Sequence, residues 1–144
     1  MRYMMIVKSD EQTEQGTLPD AEFFAEMARY NEKLTKACCL LSAEGLAPTA
    51  KGFRVRLTNG EREVRNGPFP GARDQIAGFW LIDVDSREEA IEWASQCPVV
   101  RLGGELELRE VMEMTDLPAD VQTAAEESPG IHLLEEDGRP HAQA

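Results

Sequence analysis

The chain has 144 residues, 42% hydrophobic and 29% charged, the make-up of one globular domain rather than a fibrous or disordered polymer. Its formal net charge of -12 repels a phosphate backbone and argues against nucleic-acid binding. No apolar run approaches the roughly 20 residues of a membrane span, and Cys38, Cys39 and Cys97 lack the spacing of a disulfide framework or a zinc site.

The opening MRYMMIVK is too short for a signal peptide and reads as a first strand over Tyr3–Val7. A helix is expected next, with Thr17 as N-cap and Pro19 in its first turn. Phe23, Met27, Tyr30, Leu34 and Cys38 recur every three or four positions and give that helix one apolar stripe. SAEGLAP ends it, with Gly45 and Pro48 as punctuation.

FRVRLTNGEREVR reads as a hairpin, because Asn59-Gly60 supplies the two positive φ angles of a type I′ turn. The loop RNGPFPGARD leads into QIAGFWLIDV, the longest strand. Ser86-Arg87-Glu88-Glu89 is a capping box before a second helix, which carries Ala90, Ile91, Trp93, Ala94 and Cys97 and is stopped by Pro98. ELELREVMEM closes the body as a strand alternating through Leu106, Leu108, Met112 and Met114. From Thr115 onward seven acidic residues face one basic residue, Arg139, so residues 115–144 form an acidic extension distinct from a body over 1–114. One short helix over about 118–127 and an apolar cluster of Ile131, Leu133 and Leu134 could dock that extension; a loose end is the other reading.

The order strand, helix, strand, strand, helix, strand suits an α+β fold, a ferredoxin-like βαββαβ antiparallel sheet with both helices on one face. The long strand reads as apolar on both sides: Ile76, Gly78, Trp80, Ile82 and Val84 on one, Ala77, Phe79, Leu81 and Asp83 on the other. A strand wetted on one face alternates with polar residues, so the face opposite the helices needs a cover. Leaving Phe79 and Leu81 bare forgoes ~1.5–3 kcal/mol each. A second copy laid sheet against sheet is the simplest cover, and a homodimer is expected.

These residues also carry a resemblance. NGPFPGARDQIAGFWLIDV resembles the signature loop and strand of the DGPF family, within the wider YCII-related group. MRYMMIV, AEGLAP, EAIEWASQCP and GGELELREV fall in register with it, so the similarity covers about residues 1–114. The resemblance implies a ferredoxin-like fold pairing as a dimeric α/β barrel with a cleft beside the sheet. It also implies a bacterial accessory or regulatory role, often connected with sigma-factor pathways, and distant relatives that are isomerases or monooxygenases. Two departures bear on chemistry. Asn66 stands where the family has the loop Asp, and Gly71-Ala72-Arg73-Asp74 replaces Glu-Thr-Lys-Glu. A His-Asp pair belongs to the YCII pattern, whereas this chain's histidines, His132 and His141, lie in the extension.

Three groups of candidate site residues follow. Asn66 and Arg73 with Asp74 are either a polar rim for a small polar or anionic ligand or plain turn chemistry. Glu107 and Arg109 share one face of the last strand, with Arg101 entering it, and are either a polar cavity or a cross-strand ion pair. Glu44 is either a cleft base or a solvated loop residue, and Tyr3 either lines a ligand site or packs. No core histidine supports Ser-His or Cys-His catalysis, and RLGGEL is not a phosphate loop. Two functions therefore stand side by side. One is a dimeric accessory or small-ligand-binding protein of the cytoplasm with no metal and no cofactor. The other is a lyase- or isomerase-type enzyme with Glu44 or Glu107 as general base, so whether a reaction is catalysed stays open.

Overall fold

The computed structural model describes residues 1–127. Met1–Glu110 is one compact unit, and a second begins at Val111. The first contains β1 (Arg2–Lys8), α1 (Glu11–Glu14), α2 (Ala21–Lys36), β2 (Leu40–Gly45), β3 (Phe53–Thr58), β4 (Glu61–Asn66), β5 (Ile76–Asp83), α3 (Arg87–Gln96), α4 (Pro98–Arg101) and β6 (Leu106–Glu110).

Four strands form an antiparallel sheet in the order β2-β5-β1-β6, the ferredoxin-like arrangement. Its second strand is β2, which sequence reasoning read as the break after the helix. The β3–β4 hairpin is not part of this sheet; it forms a two-stranded sheet of its own. The reason for the difference is that Leu40–Gly45 is short, ends in Glu-Gly and owes its extended state to pairing with β5 across a bulge. The hairpin turn is as expected, with Asn59 at φ 50° and Gly60 at φ 81°.

The helix starts also differ. Asp20, not Thr17, caps α2, its carboxylate accepting the Phe23 N–H at 2.8 Å. An ionised cap suits the positive end of the helix dipole, and Pro19 lies outside the helix. Ser86 caps α3 by accepting the Glu89 N–H at 3.1 Å, but the Glu89 carboxylate reaches the Asp85 N–H at 2.8 Å. Pro98 ends α3 and opens the short α4.

Both α2 and α3 pack on one face of the sheet. Tyr30 and Leu34 from α2 and Ala90 and Ala94 from α3 meet Tyr3, Met5, Trp80 and Ile82 in the core. The two large rings meet edge to face, with the Tyr30 and Trp80 centroids 5.7 Å apart. Their polar ends are satisfied: Tyr30 Oη donates to the Trp93 carbonyl at 2.8 Å, and Trp80 Nε1 donates to Asn31 Oδ1 at 2.7 Å. Of the expected stripe on α2, Cys38 falls beyond the helix end, exposed and in left-handed conformation.

In the second unit, α5 (Ala119–Glu126) follows Pro118. Before it, Glu113 donates its N–H to Asp116 Oδ2 at 2.7 Å and closes a tight turn. The strand expected to run on through Met112 and Met114 stops at Glu110. Ile131, Leu133, Leu134, His132 and His141 lie outside the described residues.

Candidate functional site

The loop Asn66–Pro70 is held from beneath. Gly67 donates its N–H to the Gly52 carbonyl at 2.9 Å, and the Phe69 N–H is accepted by Thr49 Oγ1 at 3.1 Å. A β-carbon on Gly67 would stand 1.7 Å from the Thr49 carbonyl oxygen, so only glycine permits this approach. Thr49 is anchored in turn by Glu14 at the end of α1. That carboxylate accepts the Thr49 N–H at 3.3 Å and, more closely, the Thr49 hydroxyl. Buried Ser9 donates to Glu14 Oε1 at 3.4 Å. The stiffness of the signature loop is therefore built by Glu14 and Thr49, which sequence reasoning missed. One of two Glu residues in a four-residue helix gives no local sign of a partner 35 residues on.

The sheet face opposite α2 and α3 is a second feature. Register places Glu44, Phe79, Ile6 and Glu107 in one row across the four strands, and Ser42, Leu81, Met4 and Arg109 in the next. None of these side chains belongs to the core cluster, whereas Leu106 and Leu108 on the other side of β6 pack against it. Ile6 is 7% exposed, and Met4, Phe79 and Leu81 are half-buried. At the β6 edge Glu107 lies 3.5 Å from Lys8 Nζ and 3.6 Å from Arg109 Nη1. Both contacts are open to solvent and worth little individually.

The candidate residues are spread over the molecule. Glu44 and Glu107 share the open face but sit at opposite edges, three strand spacings or about 14 Å apart, too far to act together on one bond. Arg109 accompanies Glu107. Tyr3 points to the helix side, where it is buried in the core. Asn66 ends β4, exposed and opposite Phe53; Arg73 sits in the helical turn Ala72–Asp74; Arg101 ends α4, exposed. Among the described residues no hydrogen bond or ion pair links Asn66, Arg73, Arg101 and Arg109 to one another. No group of three His, Cys, Asp or Glu among them is placed to hold a metal.

A groove of about 470 Å³ opens beside the loop, lined by Leu46, Pro48, Lys51, Phe53, Arg54, Phe69 and neighbours. Electrostatics elsewhere are structural. The Thr13 N–H donated to Asp10 at the start of α1 holds that carboxyl below its usual range. Burial pushes the Cys39 and Cys97 thiols up, and the Tyr30 phenol likewise, so none is a ready nucleophile.

A small α+β domain with a Gly-Pro loop locked against its neighbour and a half-covered sheet is the class defined so far. The model of the YCII-related domain matches residues 1–115, and the chain belongs to that family. An uncharacterized protein of Rhizobium meliloti (strain 1021) is 32% identical over 75 residues, which are 52% of this chain and 60% of that relative. The match thus spans less than two thirds of the relative's own length. Among solved structures, the 5-chloro-2-hydroxyhydroquinone dehydrochlorinase of Burkholderia phenoliruptrix AC1100 aligns with a TM-score of 0.47 at 13% identity. That alignment covers 78% of this chain and 95% of the dehydrochlorinase. No helix of the described residues is long and apolar enough to cross a membrane.

Proposed function

We propose that this YCII-related protein works as a homodimer, paired through the sheet face opposite its helices, in an accessory or regulatory role that involves a small polar or anionic ligand. The observation that supports this reading most is the row structure of that face. Met4, Ile6, Phe79 and Leu81 form an apolar centre, and Glu44, Lys8, Glu107 and Arg109 form a charged rim. An apolar centre with a polar rim is the anatomy of a protein interface, and a twofold pairing makes one patch serve both subunits. Between two such faces the rim charges would border any enclosed space, which is where a small anion would meet Arg109. Light scattering on the full chain at micromolar concentration tests the pairing. A mass of two chains supports it, and a stable single chain overturns it.

The enzyme alternative, a lyase- or isomerase-type reaction with a cleft carboxylate as base, draws its support from Glu107 beside Arg109. A base next to a cation that can hold an anionic substrate is reasonable chemistry. Against it stands the separation of Glu44 from Glu107, which leaves each without a second carboxylate to act as its partner acid or base. Turnover of any small carboxylic acid that is lost in Glu107→Gln, with the two-chain mass kept, would decide for the enzyme.

A further inference from the structure

The hairpin carries a charge arrangement that its own fold does not explain. Residues 51–73 hold six of the fifteen basic residues and two of the twenty-seven acidic ones, a local excess of positive charge in a chain of net charge -12. Along one face of the hairpin the cross-strand pairs are Arg56 with Glu63 and Arg54 with Arg65. The first is an ion pair at 2.6 Å. The second places two guanidinium groups directly opposite each other, an arrangement that destabilises a strand pair unless something anionic lies near.

Both arginines turn to one ring. Arg54 Cζ stands 3.8 Å from the centroid of Phe69, and Arg65 Cζ 5.6 Å from it. Contact with the ring accounts for how each guanidinium is oriented, and among the described residues no acceptor takes their N–H edges. No carboxylate of the described residues pairs with either arginine. The ring and Arg54 both line the groove of about 470 Å³, where Lys51 adds a third cation. Leu46, Phe53 and Ile76, 46%, 65% and 41% exposed, put three large apolar side chains at one opening, while Thr49, Asp74 and Gln75 make another part of the lining polar, with Asp74 its one carboxylate. A volume in this range accepts a small organic molecule.

We infer that the Phe69 groove is a binding site for a small amphipathic carboxylate, its anionic end held by Arg54 with Arg65 and Lys51, its apolar body lying against Phe53, Leu46 and Ile76. A planar carboxylate takes two parallel N–H donors from one guanidinium. Its charge relieves the repulsion between the paired arginines. The site stands on the hairpin and loop of one chain, so it does not depend on how copies pair.

Amide NMR titration of the full-length protein tests this with three probes: benzoate, benzamide and inorganic phosphate. Benzoate is expected to shift the amides of Lys51–Arg54 and Phe69, and added salt to weaken it. Benzamide, which has the same body without the charge, should bind about tenfold or more weakly, as should benzoate to Arg54→Gln. Arg65→Gln should weaken benzoate less and raise the thermal midpoint, because the like-charge pair is gone. Equal binding of benzamide and benzoate overturns the assignment whether or not a variant folds. So does phosphate binding as tightly as benzoate, which would make the site one for a bare ion, and so does an absence of shifts around Phe69 at millimolar benzoate.

Discussion

Glu14 and Thr49, 35 residues apart, are joined by one carboxylate that accepts both the backbone N–H and the hydroxyl of the threonine. Thr49 Oγ1 in turn accepts the Phe69 N–H at 3.1 Å, so α1, the turn after β2 and the signature loop are tied through a single hydroxyl. Thr49→Val keeps the shape and removes the hydroxyl. It should cost about 1–3 kcal/mol, since the Phe69 N–H loses its acceptor and the Glu14 carboxylate one of its donors, while the Thr49 N–H still reaches Glu14. Urea unfolding measures it, and a change below about 0.5 kcal/mol would show the tie to be slack.

Two glycines of this region differ in why they are glycine. At Gly67 a β-carbon would meet the Thr49 carbonyl oxygen at 1.7 Å, a backbone atom that cannot swing aside. Gly60 has φ 81° and open space around it. Gly67→Ala should therefore destabilise by about 2–4 kcal/mol and disturb the loop, while Gly60→Ala should cost only about 1 kcal/mol, the penalty of a left-handed residue. Thermal unfolding of both variants separates the two causes, and equal losses would refute this distinction.

Neighbours on β5 should behave oppositely. Ile82 is fully buried beneath the helices, and Leu81 faces the other way, outside the core cluster. Ile82→Ala should cost about 2–5 kcal/mol and, under the proposed pairing, leave the two-chain mass intact. Leu81→Lys should preserve the fold by circular dichroism and reduce the scattering mass to one chain. A Leu81→Lys protein that keeps the mass of two chains would move the interface elsewhere.

The three thiols should react in two classes. Cys38 is exposed, whereas Cys39 and Cys97 are buried, and burial disfavours their thiolates. With Ellman's reagent at pH 8, one thiol per chain should react fast in the folded protein and three in denaturant. Rapid reaction of all three in the native state would mean that the core around Cys97 opens easily.

Much of this protein could be read without coordinates wherever the cause was local. The apolar stripe of α2, the Asn59-Gly60 turn, the Ser86 cap and the two-sided apolar character of β5 each follow from side chains within a few positions of one another. Other features depend on residues far apart in sequence. Leu40–Gly45 becomes a strand because β5 lies beside it, and the hairpin stands apart from the main sheet because nothing in that sheet pairs with it. The approach of Arg54 and Arg65 to the Phe69 ring is a question of where the loop lies, and the service of Glu14 to Thr49 is a question of which loops meet. The residues themselves therefore determined most of the elements, β2 excepted, and the family, through backbone preference and the periodic placement of apolar groups. Tertiary structure alone decided which strands share a sheet, which charges meet across it and which ring Arg54 and Arg65 both approach. Those relations arise from contacts between distant segments, and such contacts leave no periodic trace in the chain.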